Sequence, residues 1–201
     1  MESKMTDEWD FYESQFACPI CGSDKVVSAI GNKSSKVLIV GEFPGEEELK
    51  HGKPMVGPMG IALRQELAFL GFDIKSARRT NLWLHPPNKN KLCLQHGIEE
   101  VIKEAQGKTA ILLFGDDVCK IFMDKSVTKI AGLLMKSNYF SAPIVVVSPN
   151  PAMMFHQGKG VGEIRLALKK FVRYLEEYDD SNSNSNTVFH NSNPLLDNLN
   201  S

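Results

Sequence analysis

Four runs of the chain are almost wholly apolar: "KVLIVG" (36–41), "RTNLWL" (79–84), "TAILLFG" (109–115) and "PIVVVS" (143–148). Each is continuous rather than alternating, the pattern of strands covered by helices on both faces. Between and after them, apolar positions recur at three- and four-residue steps over 59–71, 96–106, 116–124 and 160–177, which predicts helices. The last segment sets Val161, Ile164, Leu168, Phe171, Val172 and Leu175 on one face. This alternation predicts an α/β fold, a three-layer sandwich around a central four-stranded, mostly parallel sheet with right-handed crossovers. Ligands in such folds gather at the carboxyl ends of the strands. Here those ends read "GEFPGEEE", "HPPNKN", "GDD" and "PNPAMMFH", and all but "GDD" are rich in residues with no packing reason to be there.

Outside the predicted domain (36–177) the pattern changes. Residues 1–35 form an N-terminal arm, polar and acidic over 1–15, that carries a Cys-x-x-Cys pair. Beyond Tyr178, "DDSNSNSNTVFHNSN" has too little apolar surface to build a core, so 178–201 is predicted to be a flexible tail. The tail ends with Leu195, Leu196 and Leu199. Two readings stand side by side: a peptide that docks on a replication or repair protein, and a terminus that packs back on its own domain.

Composition narrows the field only a little. The 201 residues carry a net charge of −1, so no basic surplus points to nucleic acid, although a local basic face remains open. No run approaches the ~20 apolar residues of a membrane span, and the first residues lack a signal-peptide pattern. The expected location is cytoplasmic. There, four cysteines are thiols or metal ligands rather than disulfides.

The loop "GEFPGEEE" joins a strand to a helix start. It is no triphosphate cradle: the Gly-Lys-Ser/Thr signature is missing, and Glu46, Glu47 and Glu48 would repel phosphates. Glu47 and Glu48 read best as complements to a helix dipole. Glu42 differs, because it lies at the strand's end, beside the ligand crevice.

Taken in order, "GEFPGEEE…HGKPMVGPMG", "RTNLWLHPPNKN" and "SPNPAMM" resemble the motifs of the uracil-DNA glycosylase superfamily, most of all its iron–sulfur family-four branch. The resemblance covers roughly residues 36–175. It implies a glycosylase-like fold, DNA as partner, and hydrolysis of the bond between a base and deoxyribose after the base has left the stack. On that resemblance Glu42 positions or activates water, and Asn81 reads the base edge with its amide. Residues 52–57 lie beside the base, the amides of Gly57 and Gly60 meet phosphates, and His85 borders the pocket. Met153 and Met154 supply an apolar wedge, with Phe155 on the same loop. Lys89, Lys91, Lys159 and Arg165 flank that edge.

Three positions depart from the family-four pattern. Met55 replaces its stacking phenylalanine with a softer wall. Asn150 stands where that branch has histidine, which removes a donor to the leaving base worth ~3 kcal/mol. "PNPAMM" resembles instead the Asn-Pro-Ser loop of the mismatch-specific uracil/thymine branch. Phe43 replaces a small residue and narrows the pocket or plugs it. Two function classes follow: a glycosylase with weak or altered activity, and a catalytically quiet module of the same fold that serves replication or repair.

"CPIC" (Cys18, Cys21) and "CLQH" (Cys93, His96) form two ligand pairs of equal spacing, which fits tetrahedral zinc. The resemblance implies a four-iron cluster on four cysteines instead. Cys18, Cys21 and Cys93 match three of those, while Leu84 occupies the remaining position unless His85 or Cys119 substitutes. Structural zinc is the first expectation and a [4Fe-4S] cluster the alternative.

Overall fold

Val37, Leu38, Ile39 and Val40 are all buried, and pleating sends them to opposite faces. Leu38 and Val40 join one apolar cluster, Val37 and Ile39 another. This strand, β1 (Val37–Gly41), belongs to a five-stranded sheet in a computed structural model that describes residues 17–155 and 160–188. The others are β2 (Arg78–Asn81), β3 (Ala110–Phe114), β4 (Leu134–Met135) and β5 (Ile144–Ser148), in the order β2-β1-β3-β5-β4. All pairings are parallel except that of β4 with β5. The predicted α/β sandwich is therefore present, with one strand more than expected. β4 is too short and too exposed to show as an apolar run.

Six helices flank the sheet among the described residues: α1 (Glu46–His51), α2 (Pro58–Phe69), α3 (Lys91–Glu104), α4 (Asp116–Met123), α5 (Val127–Ile130) and α6 (Val161–Val188). Val101 of α3, Val118 and Phe122 of α4, and Ile130 of α5 fill the cluster on one face. Leu63 and Leu67 of α2, with Ile164, Leu168 and Phe171 of α6, fill the other. No helix among the described residues is long and apolar enough to cross a membrane.

Boundaries move for identifiable reasons. β2 starts one residue before the apolar run "RTNLWL" and ends three residues short of its end; it consists of buried Arg78, Arg79, Thr80 and Asn81. The Arg78 guanidinium is neutralised by Glu104, through Nε–Oε2 and Nη2–Oε1 bonds of 2.8 and 2.7 Å, and Nη1 donates to the Gly31 carbonyl. α3 begins five residues before its predicted start, because the Asn90 side chain accepts the Leu92 N–H and caps it. α6 continues past Tyr178 into the Ser/Asn stretch. Ser181 and Asn182 donate to the Tyr178 carbonyl and Ser183 to that of Asp179, so these side chains follow the helix rather than break it. The acidic arm (1–15), Lys159 and the Leu195, Leu196 and Leu199 cluster lie outside the described residues.

Candidate active site and metal centre

Parallel strands bring Glu42, Asn81, Gly115 and Asn150 to one edge of the sheet, at or just past the ends of β1, β2, β3 and β5. The Glu42 backbone is fixed there by the Trp83 N–H donating to its carbonyl at 2.8 Å. Its carboxylate bridges two elements: Oε1 accepts the Asp117 backbone N–H at 3.1 Å, and Oε2 accepts Asn150 Nδ2 at 2.6 Å. The first bond sets the carboxylate at the positive end of α4. Gly115 makes this possible, since a Cβ there would collide with the Glu42 side chain, and its φ of 92° suits glycine. Asn150 Oδ1 accepts the Ala152 N–H at 2.9 Å, which closes a turn and fixes the amide with its nitrogen toward Glu42.

Of these, Glu42 and Asn150 border a cavity of about 320 Å³, within the range of ligand pockets, whereas Asn81 and Gly115 are not among its lining residues. Glu42 and Asn150 meet there with Phe43, Met59, Phe114 and Phe155. Phe43 and Phe155 are 47% and 56% exposed, unusual for phenylalanine. Asn81 is 2% exposed, and its Nδ2 has no hydrogen-bond partner among the described residues. Its amide lies against Gly41, where a Cβ would meet Oδ1, and Gly41 lines the cavity. An orphaned buried amide is costly, and a ligand edge is one way to satisfy it.

Other expected site residues are engaged elsewhere. Met55, expected as a wall beside the base, is 2% exposed and packs in the α2/α6 cluster; it is not among the cavity-lining residues. Gly57 lines the cavity, but its N–H is already donated to Glu48 Oε1 at 2.8 Å, so it is not free for phosphate. Gly60 is needed for close packing, since a Cβ there would strike the Met55 carbonyl. Met154 packs partly on the core, whereas Met153 and Phe155 are exposed. Arg165 is tied to Glu66 by bonds of 2.6–3.0 Å, while Lys89 and Lys91 are exposed.

Glu48 does more than complement a dipole. Only 6% exposed, its carboxylate accepts the N–H groups of Gly45, Val56 and Gly57 at 3.1, 3.1 and 2.8 Å. It holds the start of α1 to the start of α2 and so shapes one wall of the cavity. The Gly45-x-x-Glu48 spacing of a capping box was the signal in the sequence. For Gly115, and for the place of Phe155 in the cavity wall rather than beside the wedge alone, there was no local signal, because these arise from distant strands.

A second cluster lies beside β2. The ligand atoms of Cys18, Cys21, His85 and Cys93 all fall within 4.8 Å of one another. His96, expected as the fourth zinc ligand, is not among them, and His85, expected to border the pocket and weighed as a substitute ligand of the cluster, takes that place. His85 is 3% exposed; Nδ1 is 2.8 Å from the Pro86 carbonyl, which can only accept. Nδ1 therefore carries the proton and Nε2, 3.6 Å from Cys21 Sγ, presents its lone pair. The Ser23 backbone N–H holds the Cys21 thiol below its ordinary value, while burial pushes Cys93 up. Three thiols and one imidazole suit a thiophilic ion or cluster. Cys119 lies apart from this group: burial pushes its thiol up to about 11, and its Sγ donates to the Lys125 carbonyl.

Comparison with known proteins adds an independent line. The chain is 29% identical over 128 residues to a type-4 uracil-DNA glycosylase of Thermotoga maritima, covering 58% of this chain and 66% of the relative. It is 33% identical over 84 residues to a type-4 uracil-DNA glycosylase of Archaeoglobus fulgidus, covering 39% of this chain and 42% of the relative. The matches thus span less than two thirds of either relative's length. Residues 29–177, most of the chain, match the family model described as the uracil DNA glycosylase superfamily. The strand order, the crevice at the strand ends and this match agree, and the chain belongs to the uracil-DNA glycosylase superfamily, with relatives in its type-4 branch.

Proposed function

We propose that this protein is a DNA N-glycosylase that hydrolyses the bond between deoxyribose and uracil or a related base. The observation that carries the reading is the meeting of Glu42 and Asn150, 2.6 Å apart, in an open cavity at the carboxyl ends of the strands. The remaining lone pairs of Glu42 can take a hydrogen bond from water, orient it toward C1′ and receive its proton. Its charge also stabilises the oxocarbenium-like sugar as the base departs. Asn150 holds that carboxylate in place, and Asn81 offers its unpartnered N–H to an oxygen on the base edge. Phe155 and Met153, exposed on the loop after β5, suit filling the gap left in the base stack. The comparisons give no support to the catalytically quiet alternative.

A structural zinc is proposed at Cys18, Cys21, His85 and Cys93. Four donors around one zinc, each about 2.0–2.3 Å from it, lie roughly 3.5–3.8 Å apart. The 3.6 Å between His85 Nε2 and Cys21 Sγ supports that spacing. A four-iron cluster would spread its ligands around a larger body. Bound metal would staple the N-terminal arm to the loop between β2 and α3.

The test is base release from single- and double-stranded oligonucleotides containing uracil, with Glu42→Ala and Asn81→Ala beside the parent protein. Release by the parent, reduced at least a hundredfold by Glu42→Ala and tenfold by Asn81→Ala, is the expected result. Equal release by the parent and Glu42→Ala would overturn the assignment of Glu42.

A further inference from the structure

Two costly features meet at one glycine. Met55 has a φ of 60°, in the left-handed region that side chains disfavour. Asp124, the other non-glycine residue with positive φ among those described, caps α4 and is of a type that tolerates this conformation. Met55 caps no helix among the described residues. Its backbone is clamped on both sides by Glu48: the Lys53 N–H donates to the Glu48 carbonyl at 3.3 Å, and the Val56 and Gly57 N–H groups donate to its carboxylate at 3.1 and 2.8 Å. The second feature is Asn81, whose buried Nδ2 has no hydrogen-bond partner among the described residues. The point where a Cβ would stand on Gly41 lies 2.5 Å from Asn81 Oδ1 and 3.6 Å from Met55 Cε.

Gly41 lines the cavity, whereas Met55 and Asn81, each 2% exposed, do not. The glycine is thus the shared neighbour of the cavity, the thioether methyl and the amide. Strained backbone persists where its surroundings over-determine it, and a buried orphan amide calls for a partner. Withdrawal of the methyl group answers the second need. It opens room over Gly41, where a planar ring can bring a carbonyl oxygen to Asn81 Nδ2. Methionine suits that movement, because its unbranched side chain turns about three bonds while Glu48 keeps the backbone in place.

We propose that Met55 is a stopper over Asn81 rather than a wall beside the base, an inference that rests on the glycosylase reading of the same site. With Met55 folded inward, the cavity holds the Glu42–Asn150 pair but withholds the amide that reads the base. A flipped base gains that amide only by displacing the Sδ–Cε arm. Met55 therefore sets how readily a base is admitted, and its inward position weakens the apparent affinity by the fraction of molecules in which the arm is withdrawn.

The experiment compares the parent protein with Met55→Leu, which keeps the core volume but lacks the reach of the arm, and with Met55→Ala, which removes the arm outright. Binding of free uracil is followed by calorimetry, and KM and kcat are measured for base release from a uracil-containing oligonucleotide. Both variants should bind uracil about fivefold or more tightly than the parent and lower KM by a similar factor, with kcat held within about twofold. Asn81→Ala added to Met55→Leu should remove the gain. Weaker binding by the folded variants would make Met55 a wall, and unchanged binding would make it core packing alone. Either result would overturn the inference, while release that depends on Glu42 would leave the glycosylase reading standing. Neither binding nor release by the parent and both variants would overturn both.

Discussion

Glu48 shows how much a single carboxylate can organise. Its three backbone partners come from both sides of the loop that borders the cavity, and the bond to the Gly57 N–H is buried. Glu48→Ala should therefore cost about 2–4 kcal/mol in a denaturant titration, as buried donors left unsatisfied do. Its exposed neighbour Glu47, paired only at the surface, should cost less than about 0.5 kcal/mol on the same change. Gly115→Ala tests the seat of Glu42. The new methyl group collides with the carboxylate and forces a residue with a side chain into a φ of 92°. About 1–3 kcal/mol of stability should be lost, and base release should fall with it. The sequence could place Glu42 at a strand end, but not its two hydrogen bonds. Those depend on Asp117 and Asn150, which lie 75 and 108 residues away.

At the scale of elements, the join between α4 and α5 depends on one ionised side chain. Asp116 accepts from Ser126 Oγ and the Val127 N–H at 3.2 and 3.1 Å, and pairs with Lys120. The Lys120 ammonium and the Val127 N–H hold the Asp116 carboxyl below its ordinary value of 3.8. A depressed folded-state value means that the contribution is complete above the unfolded value and is lost as pH falls through the folded one. Hydrogen exchange at Val127 should accordingly quicken, beyond its intrinsic pH dependence, only below about pH 4, and Asp116→Asn should remove that step. Elements announced by hydrophobicity alone were legible: β1, β3 and β5 coincide with their apolar runs to within a residue or two. β2 was legible in part: three of its four residues lie within the run predicted as a strand, but its start was not legible, because Arg78 is buried through Glu104 on α3, a pairing that no local window contains. α6 ran past its predicted end because serine and asparagine side chains found carbonyls within the helix itself.

Across the whole molecule, four residues far apart in sequence join the arm to the sheet. Cys18 and Cys21 come from the N-terminal segment, His85 from the loop after β2, and Cys93 from α3. The two Cys-x-x pairs were legible as ligands, but the second pair offered the wrong histidine. His96 follows Cys93 at the same spacing that separates Cys18 from Cys21, whereas His85 was legible only as a substitute for the missing cluster ligand and is brought in by the path of the chain. Elemental analysis of protein purified without added metal should find about one zinc per chain; four irons with acid-labile sulfide would assign the cluster instead. Chelation should lower the melting temperature by several degrees and open residues 17–30 to proteolysis, with the β1–β3–β5 core retaining its exchange protection.

The same arm has a bearing on how the protein behaves in concentrated solution. At one margin of the sheet, Ile30 exchanges two backbone hydrogen bonds with Arg79, both 2.9 Å, and so occupies part of the outer side of β2. At the other, β4 spans only Leu134–Met135, too short to template a further strand. Neither margin invites a second copy while the arm is in place. Release of Cys18 and Cys21 would loosen the segment that carries Ile30 and uncover a ready-made pairing edge, so self-association into extended sheets is the expected companion of metal loss.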